Sequence, residues 1–224
     1  MKTFIIYLYT ALFMSFKKLW YYAKKSWQYT KKFLHYIWYG ESLMSWILCF
    51  LFAFIVIRYA FYPTLGLILG SSYPVVAVMS ESMQHNTDFN TWWDGKSCCD
   101  PGCTQRVVQG SIYDFIGISK ETFKTYPLQN GFDPGDIIFL TSPNNVKKGD
   151  IIVFMSHHRA EPIIHRIIDI MEDGKFYKTK GDNNCGSGEF ELRIAKTDVI
   201  GKASFVVPYL GWLKLALVKV IGVF

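Results

Sequence analysis

The stretch from residue 163 to residue 182, IIHRIIDIMEDGKFYKTKGD, decides the fold class. Two runs rich in isoleucine, phenylalanine and tyrosine lie on either side of Asp173-Gly174. Such residues favour strands, and an Asp-Gly pair between two such runs is a strong signal for a tight β-hairpin. The stretch therefore predicts two antiparallel strands, Ile163–Met171 and Phe176–Thr179.

Similar runs occur on both sides of this hairpin, separated by turn residues such as Ser142-Pro143-Asn144-Asn145. They predict four more strands: Val75–Met79, Ile137–Leu140, Ile151–Met155 and Val199–Val207. No long amphipathic helix is evident between residues 71 and 204. The fold class is therefore mainly β, with a small antiparallel β domain at residues 70–204 and an insertion of different composition at residues 84–132.

The hairpin turn also predicts which side chains face each other across the two strands. If the turn is Asp173-Gly174, Ile170 faces Tyr177, and the same register continued outward sets His165 opposite Asp182. Directly opposed side chains have Cβ atoms about 4.5–5.5 Å apart, close enough for a carboxylate to hold an imidazole. A histidine held in this way acts as a general base when a nucleophile lies beside it.

A candidate nucleophile follows the first strand, in Ser80-Glu81-Ser82-Met83. A serine at the end of a strand is often exposed on a turn. Most serines in turns serve only as hydrogen-bonding loop residues, and a lone histidine is often a core residue. These residues by themselves therefore carry a weak signal.

A membrane anchor is predicted at residues 43–69, LMSWILCFLFAFIVIRYAFYPTLGLIL, whose only charge is Arg58. About 20 apolar residues cross a bilayer core of roughly 30 Å. We expect a helix over about residues 42–62, with Pro63 well placed to end it.

The arm before this anchor, residues 1–42, carries all of the net charge of +6, since it holds seven lysines and only Glu41. The rest of the chain has 17 basic and 17 acidic residues, so a nucleic-acid partner is not expected. Lysine pairs recur every seven residues among aromatic residues, at 17/18, 24/25 and 31/32. This pattern suits a helix in the headgroup layer of an anionic leaflet, so the lipid bilayer is a predicted partner. The lysines also place the N-terminus in the cytoplasm and the β domain on the other side.

Two further apolar segments are less clearly defined. Residues 3–16 are short for a membrane span, and a cleavable signal peptide is the alternative there. Residues 205–224 form an apolar membrane-associated segment, which either spans the bilayer or lies on its surface.

The chain has five cysteines, one of them, Cys49, in the anchor. The other four, which are Cys98, Cys99, Cys103 and Cys185, predict disulfide bonds on the oxidising side of a membrane. A zinc site formed by the three clustered cysteines and His85 is the alternative, although their spacing is poor for paired ligands.

Four motifs in order resemble the motif series of type I signal peptidases. They are Ser-Glu-Ser-Met at 80–83, Gly-Asp-Ile-Ile-Val-Phe at 149–154, Ile-Ile-His-Arg-Ile at 163–167 and Lys-Gly-Asp-Asn-Asn at 180–184. The stretch from Gly70 to Val78 is similar to the run that precedes the nucleophile in that family. A histidine at 165, where bacterial enzymes usually have lysine, resembles the archaeal and endoplasmic-reticulum branch.

The resemblance implies a role for each matching residue. Ser82 resembles the nucleophile and His165 the general base, and the family pattern implies that the Ser80 hydroxyl and the Ser82 backbone N–H bind the oxyanion. The third catalytic residue is Asp182, which the hairpin register favours, or Glu189, which follows a glycine where the family often has an aspartate. His85 stands where the family usually has proline.

The leading hypothesis from the sequence is a membrane-anchored serine endopeptidase that cleaves signal peptides from secreted preproteins. Its active site would lie on the outer or lumenal side of a cytoplasmic or endoplasmic-reticulum-type membrane, with the secretion channel as a further partner. The sequence implies no metal and no other cofactor. The alternatives are a catalytically silent membrane scaffold of the same fold and a metal-binding domain that uses the cysteines and histidines.

Overall fold

A computed structural model of the chain describes residues 2–100, 102–156, 161–212 and 216, with the side chains of the N-terminal helix described at Lys18 and from Trp20 onward. The chain forms two compact units, Met1–Phe61 and Tyr62–Phe224. His157 and His158, which no motif of the sequence selects, lie outside the described residues.

The first unit contains two helices joined by a tight turn. α1 spans Lys2–Tyr39 and α2 spans Leu43–Val56. Ser42 caps α2 by accepting a hydrogen bond from the Ser45 N–H at 3.2 Å. The Ser45 hydroxyl donates back to the Tyr36 carbonyl at 2.7 Å, so the end of α1 and the start of α2 are held together by polar contacts.

The predicted anchor is a helix, but it does not end at Pro63. After α2 the chain makes a π-helical turn at Ile57–Phe61 and continues as α3, Tyr62–Leu69. Proline lacks an N–H and collides with the carbonyl four residues earlier, and the wider π turn accommodates it. Leu43–Leu69 is the one helix of the described residues that is long and apolar enough to cross a membrane, and only 6% of its most apolar window is buried. A helix at the centre of a soluble protein would be mostly buried.

The second unit is a β domain, as predicted. In the described residues its main sheet has seven strands, which are β1 Val75–Ala77, β4 Ile137–Thr141, β5 Ile151–Phe154, β6 Ile163–Met171, β7 Phe176–Lys180, β8 Ile194–Ala195 and β9 Val199–Val207. All neighbouring strands are antiparallel, and their order in the sheet is β1-β4-β9-β5-β6-β7-β8. All six predicted strands are present, and β8 is the one strand of this sheet that the sequence did not predict.

The core lies on both faces of β5, which is buried along its whole length. Ile151 and Val153 pack into one apolar cluster, and Ile152 and Phe154 pack into another. Such two-sided burial explains why this strand has an unbroken apolar sequence.

The predicted hairpin register holds only near the turn. Ile170 pairs with Tyr177, as expected, but a bulge between Ile167 and Asp169 shifts the pairing by one residue, so Arg166 pairs with Lys180. The extra residue, Ile168, is buried in an aromatic cluster formed by the insertion. A one-residue shift moves every following side chain to the opposite face, so the predicted pairing of His165 with Asp182 is wrong.

The insertion contains short elements that the sequence did not reveal. They are the helices α4 Phe89–Asp94, α5 Gln109–Phe115 and α6 Lys120–Lys124, and the two-stranded hairpin of β2 Lys96–Cys98 and β3 Arg106–Val108. Its core is the aromatic cluster of Phe89, Trp92, Trp93, Tyr113 and Phe123.

The predicted apolar segment 205–224 begins inside β9, because residues 205–207 belong to that strand. A turn follows, in which the Gly211 N–H donates to the Gly135 carbonyl at 2.7 Å. Residues 213–215 and 217–224 lie outside the described residues. Whether it spans the membrane therefore stays a prediction.

Candidate active site

Ser82 lies in a turn that follows β1. The next residue, Met83, anchors this turn to the core. The Met83 side chain is fully buried in the core, and its carbonyl accepts a hydrogen bond from the Phe132 N–H at 3.1 Å. The turn itself is closed by a hydrogen bond from Gln84 N–H to the Glu81 carbonyl at 3.0 Å. The buried methionine thus fixes the position of the serine before it, whose side chain faces a cleft.

His165 lies in β6, and one ring nitrogen reaches the serine. Its Nε2 is 3.0 Å from Ser82 Oγ. His165 pairs with Ile152 of the buried strand β5, and its side chain is largely buried. A histidine on a central strand is held more firmly than one on a loop, so the distance to Ser82 is set by the sheet.

The other ring nitrogen, Nδ1, is hydrogen-bonded to Glu191 Oε1. Glu191 is buried, and its carboxylate also accepts hydrogen bonds from Thr179 Oγ1 at 3.2 Å and from the Gly188 N–H at 2.8 Å. An ionised carboxylate only accepts hydrogen bonds, so His165 Nδ1 carries the proton. In the neutral ring, Nε2 then has a free lone pair directed at the Ser82 hydroxyl.

Glu191 was not selected from the sequence, and neither sequence candidate for the third residue takes its place. Glu189 is exposed at the start of the 3-10 turn Glu189–Glu191. The sequence shows two glutamates in this turn, separated by Phe190. Two neighbouring glutamates indicate that an acid is available near this position. Only the orientation of the turn in the structure shows that Glu191 points inward, toward His165.

Asp182 is fully buried and makes no hydrogen bond with His165. Its carboxylate accepts two hydrogen bonds from Arg166, at 2.9 Å from Nε and 2.6 Å from Nη2. It also accepts one from the Tyr113 hydroxyl at 2.9 Å and one from His85 Nε2 at 3.1 Å. The bulge in β6 explains this, because Arg166 and not His165 lies on the side to which Asp182 turns.

Burial and the charge of Arg166 act in opposite directions on the pKa of Asp182. Burial alone would raise the pKa of Asp182, but the charge of Arg166 and the hydrogen bonds outweigh it and hold that pKa well below its usual range. Arg166 donates its remaining hydrogen bonds to the carbonyls of Pro127, Leu128 and Gly149, at 2.8–3.0 Å. The pair is therefore fully satisfied, as a buried ion pair must be.

Gly181 lets the loop after β7 cross directly over the catalytic candidates. A Cβ atom at this position would lie 2.8 Å from His165 Nε2 and 2.8 Å from the Ser82 carbonyl oxygen. Any side chain here would push the serine and the histidine apart. The glycine of the Lys-Gly-Asp-Asn-Asn motif is thus required by close packing.

Lys180 is a second buried base near the site, but it does not face Ser82. Burial lowers its pKa to about 7, against the opposing effect of the Asp182 charge. Its Nζ donates to the carbonyls of Gly181 at 2.9 Å and Asp182 at 3.2 Å. These contacts brace the loop and keep the amine away from the serine.

Ser80 lies beside Ser82, with the two hydroxyl oxygens 3.1 Å apart. Both serines open into a cleft of about 730 Å³. One wall of the cleft is the edge strand β1, and the other consists of Ile163, Ile164 and Phe190. An edge strand has unpaired backbone groups, so an extended peptide can add to the sheet here.

All four predicted extracytoplasmic cysteines are in disulfide bonds. Cys98 is bonded to Cys103, and Cys99 is bonded to Cys185. His85, the fourth residue of the zinc alternative, is bonded to Asp182. The zinc interpretation of these residues is therefore wrong, and Cys49 is the one free cysteine.

No family model matches the chain. Several curated proteins, however, are similar to it in sequence. The chain is 35% identical over 118 residues to the signal peptidase complex catalytic subunit SEC11C of Rattus norvegicus, an alignment that covers 43% of this chain and 61% of the relative. It is 37% identical over 95 residues to that subunit of Homo sapiens, covering 38% of this chain and 49% of the relative.

A third relative is matched over a larger share of its length. The chain is 31% identical over 116 residues to the signal peptidase complex catalytic subunit SEC11 of Colletotrichum graminicola, covering 42% of this chain and 67% of the relative. The chain thus spans about half to two thirds of the length of these relatives. It belongs to the family of signal peptidase catalytic subunits.

Proposed function

We propose that this chain is a membrane-anchored serine endopeptidase that cleaves signal peptides from secreted preproteins. The observation that carries the proposal is the hydrogen-bonded series Ser82–His165–Glu191, with 3.0 Å between Ser82 Oγ and His165 Nε2. The names of the curated relatives support the choice of substrate. The proposal keeps the division into an arm at residues 1–42, an anchor at residues 43–69 and a peptidase domain at residues 70–204.

The reaction begins when the Ser82 hydroxyl attacks the scissile carbonyl and gives its proton to His165 Nε2. The imidazolium that forms is stabilised by the buried Glu191 carboxylate at Nδ1. His165 then donates the proton to the leaving amine, which leaves an acyl-enzyme on Ser82. Water, deprotonated by the same histidine, hydrolyses that ester and restores the serine.

The negative charge on the tetrahedral intermediate is stabilised by the Ser80 hydroxyl and the Ser82 backbone N–H. The position of Ser80 Oγ, 3.1 Å from the nucleophile, supports this role. A donor aimed at the developing oxyanion is worth about 2.7–4 kcal/mol. The substrate lies extended along β1, with its residues before the cut in the cleft.

The test is cleavage of a preprotein by the purified full-length chain in lipid nanodiscs, with Ser82→Ala as the control. We expect the wild type to release the signal peptide and the variant to release none. Cleavage by both proteins would show that Ser82 is not the nucleophile. Cleavage by neither, with a folded domain, would favour the catalytically silent scaffold.

We also propose that the N-terminus is cytoplasmic and that the peptidase domain lies on the outer or lumenal side. The seven lysines before the anchor support this orientation, and so do the two disulfides of the peptidase domain, since disulfides persist in oxidising compartments. Protease added to the cytoplasmic side of sealed microsomes should remove the arm and spare the domain. Digestion of the domain would overturn the orientation.

The lipid bilayer is proposed as a partner of α1. From Trp20 to Tyr39 its aromatic side chains are exposed, and Lys24 and Lys31 each lie over the ring of a tryptophan four residues earlier, at 5.3 and 5.5 Å. No acidic residue occurs before Glu41. Exposed aromatic rings beside lysines suit the headgroup layer of an anionic leaflet. The secretion channel as a further partner stays a prediction.

A spin label measures the depth of this helix. The label is attached at Gln28→Cys in a Cys49→Ser background, and the full chain is placed in nanodiscs of anionic or of zwitterionic lipid. We expect the label to lie at headgroup depth in anionic lipid and to move outward when Lys24, Lys25, Lys31 and Lys32 are changed to glutamine. A position in bulk water in both lipids would contradict the proposal.

A further inference from the structure

The loop of residues 181–191 that follows β7 is called the catalytic loop here. The insertion at residues 84–132 sends three side chains to a single residue of this loop, Asp182. His85 Nε2–H and the Tyr113 hydroxyl donate to the two carboxylate oxygens of Asp182, at 3.1 and 2.9 Å. The Gln109 side-chain amide donates to the Asp182 backbone carbonyl. These three residues come from separate places in the insertion, and all three are buried.

His85 is itself held from within the insertion. Its ring stacks on Trp92 with 3.6 Å between centroids and 3° between planes. Trp92 belongs to the aromatic cluster that also buries Ile168, the bulged residue of β6. The contact to Asp182 is therefore fixed by a packed core, unlike a contact made by a free surface side chain.

A covalent bond adds a fourth connection. Cys99 of the insertion is joined to Cys185, three residues after Asp182, although the two cysteines are 86 positions apart in the chain. The Cys99 N–H also donates to the Gln105 carbonyl at 2.9 Å, which ties this cysteine to the small β2–β3 hairpin. The catalytic loop is thus fastened to the insertion on both sides of Asn183.

The opposite side of the same loop holds the nucleophile turn. The Asn183 N–H donates to the Ser82 carbonyl at 2.8 Å, and its side-chain amide donates to the Glu81 carbonyl at 3.1 Å. The loop then continues to Glu191, which orients His165. The catalytic loop therefore contacts the insertion on one side. On the other side it holds the turn of Ser82 through Asn183 and orients His165 through Glu191.

We propose that insertion 84–132 is a positioning module for catalysis, and that the Cys99–Cys185 disulfide makes turnover depend on an oxidising environment. This inference rests on the proposed function. His85, Gln109 and Tyr113 are positioning residues that act through Asp182. A dithiol that reduces the disulfide is oxidised to its own disulfide, and Cys99 and Cys185 each gain a proton and become thiols. The loop then loses its covalent attachment to the insertion.

The two disulfides of this chain provide a matched pair of variants. Full-length C99S/C185S and C98S/C103S are compared with the wild type in nanodiscs on one preprotein. We expect C99S/C185S to lower kcat by about 10²-fold, because a small misplacement of catalytic groups costs that much, and to leave KM unchanged. C98S/C103S, whose bond closes only a short loop within the insertion, should keep the wild-type kcat. Equal kcat values in all three proteins would overturn the proposal.

Hydrogen exchange tests the same inference without relying on turnover. In C99S/C185S the amides of peptides covering residues 181–191 should exchange faster, while those of β5 keep the wild-type rate. Wild-type exchange at 181–191 would sink the proposal even if the chain cleaves preproteins. Conversely, faster local exchange in a chain without peptidase activity would leave the positioning of the loop supported and overturn the proposed function.

His85 gives a second set of variants. His85→Gln can still donate to Asp182, whereas His85→Leu cannot, so we expect kcat to fall more for leucine than for glutamine. Asp94→Ala is the control, because it removes an exposed ion pair of the insertion with Lys120, 2.8 Å apart, without touching Asp182. A loss of the same size in Asp94→Ala and His85→Leu would show that the insertion acts only through its overall stability.

Discussion

Two histidine–carboxylate pairs lie close together in this molecule, and their surroundings differ. His165 is paired with Glu191 and His85 with Asp182, and all four side chains are buried. The second nitrogen of His165 faces Ser82 across 3.0 Å. The second nitrogen of His85 has no hydrogen-bond partner among the described residues, and its ring is stacked on Trp92.

The two carboxylates, Glu191 and Asp182, also differ in their other partners. Among the residues that the structure describes, Glu191 accepts hydrogen bonds only from neutral donors besides the histidine, whereas Asp182 forms an ion pair with Arg166. Because the negative charge of Asp182 is already balanced by the Arg166 guanidinium, it would stabilise a protonated imidazole only weakly. The comparison teaches that a histidine and an acid in contact do not define a catalytic pair, and that access to a nucleophile does.

The largest expected effect separates the two histidines. His165→Ala should lower kcat by about 10⁶-fold, the order found when a member of a serine-protease triad is removed. His85→Ala should lower it by about 10²-fold, because it only loosens the positioning of the loop. The measurement is kcat on one preprotein with both variants folded. An equal loss for the two would remove the distinction between the pairs.

The next effect separates the two neighbouring glutamates. Glu191→Gln should lower kcat by about 10⁴-fold, since an amide neither selects the correct tautomer nor stabilises the imidazolium. Glu189→Gln, two residues away and exposed, is the matched control and should be close to wild type. The reverse result would mean that the 3-10 turn presents the other glutamate to His165.

Asp182→Asn tests the difference between the two carboxylates through the stability of the fold. It leaves Arg166 buried without a counter-charge, which should lower the free energy of unfolding by about 3–5 kcal/mol. Arg193→Gln, which breaks the exposed ion pair with Glu172, should cost no more than about 1 kcal/mol. Thermal unfolding of the three proteins under one condition measures both changes. A small decrease in the free energy of unfolding for Asp182→Asn would mean that the ion pair between Arg166 and Asp182 contributes little to stability.

The last effect is a pH dependence of stability caused by Lys180, which is small over any single pH unit. Its pKa is about 7 in the folded chain and 10.5 for an ordinary lysine, so the unfolded state binds more protons between these values. The free energy of unfolding therefore rises with pH across this window, by at most about 1.4 kcal/mol per pH unit. Lys180→Met should flatten this rise. An unchanged slope in the variant would assign the pH dependence to other groups.

Part of the candidate site could be predicted because it depends on local sequence. Ser82 and His165 stand in short motifs whose strands the sequence also predicts, and the structure brings the two side chains together. The register of β6 and β7 could be predicted only as far as Asp169, since it follows from the turn. Beyond that point the burial of Ile168 in the insertion decides it.

The sequence by itself predicted a helix long and apolar enough to cross a membrane, the antiparallel β domain, and the serine and histidine that the structure brings within 3.0 Å of each other. These follow from apolar length, from the alternation of strands and turns, and from motif order, all of which are properties of neighbouring residues. Only the tertiary structure decided that Glu191 holds His165, that Asp182 holds Arg166, and that Cys99 is bonded to Cys185. Each of these contacts joins distant segments or depends on one extra residue in a strand, and their geometry is fixed when the aromatic cluster of the insertion packs against the sheet.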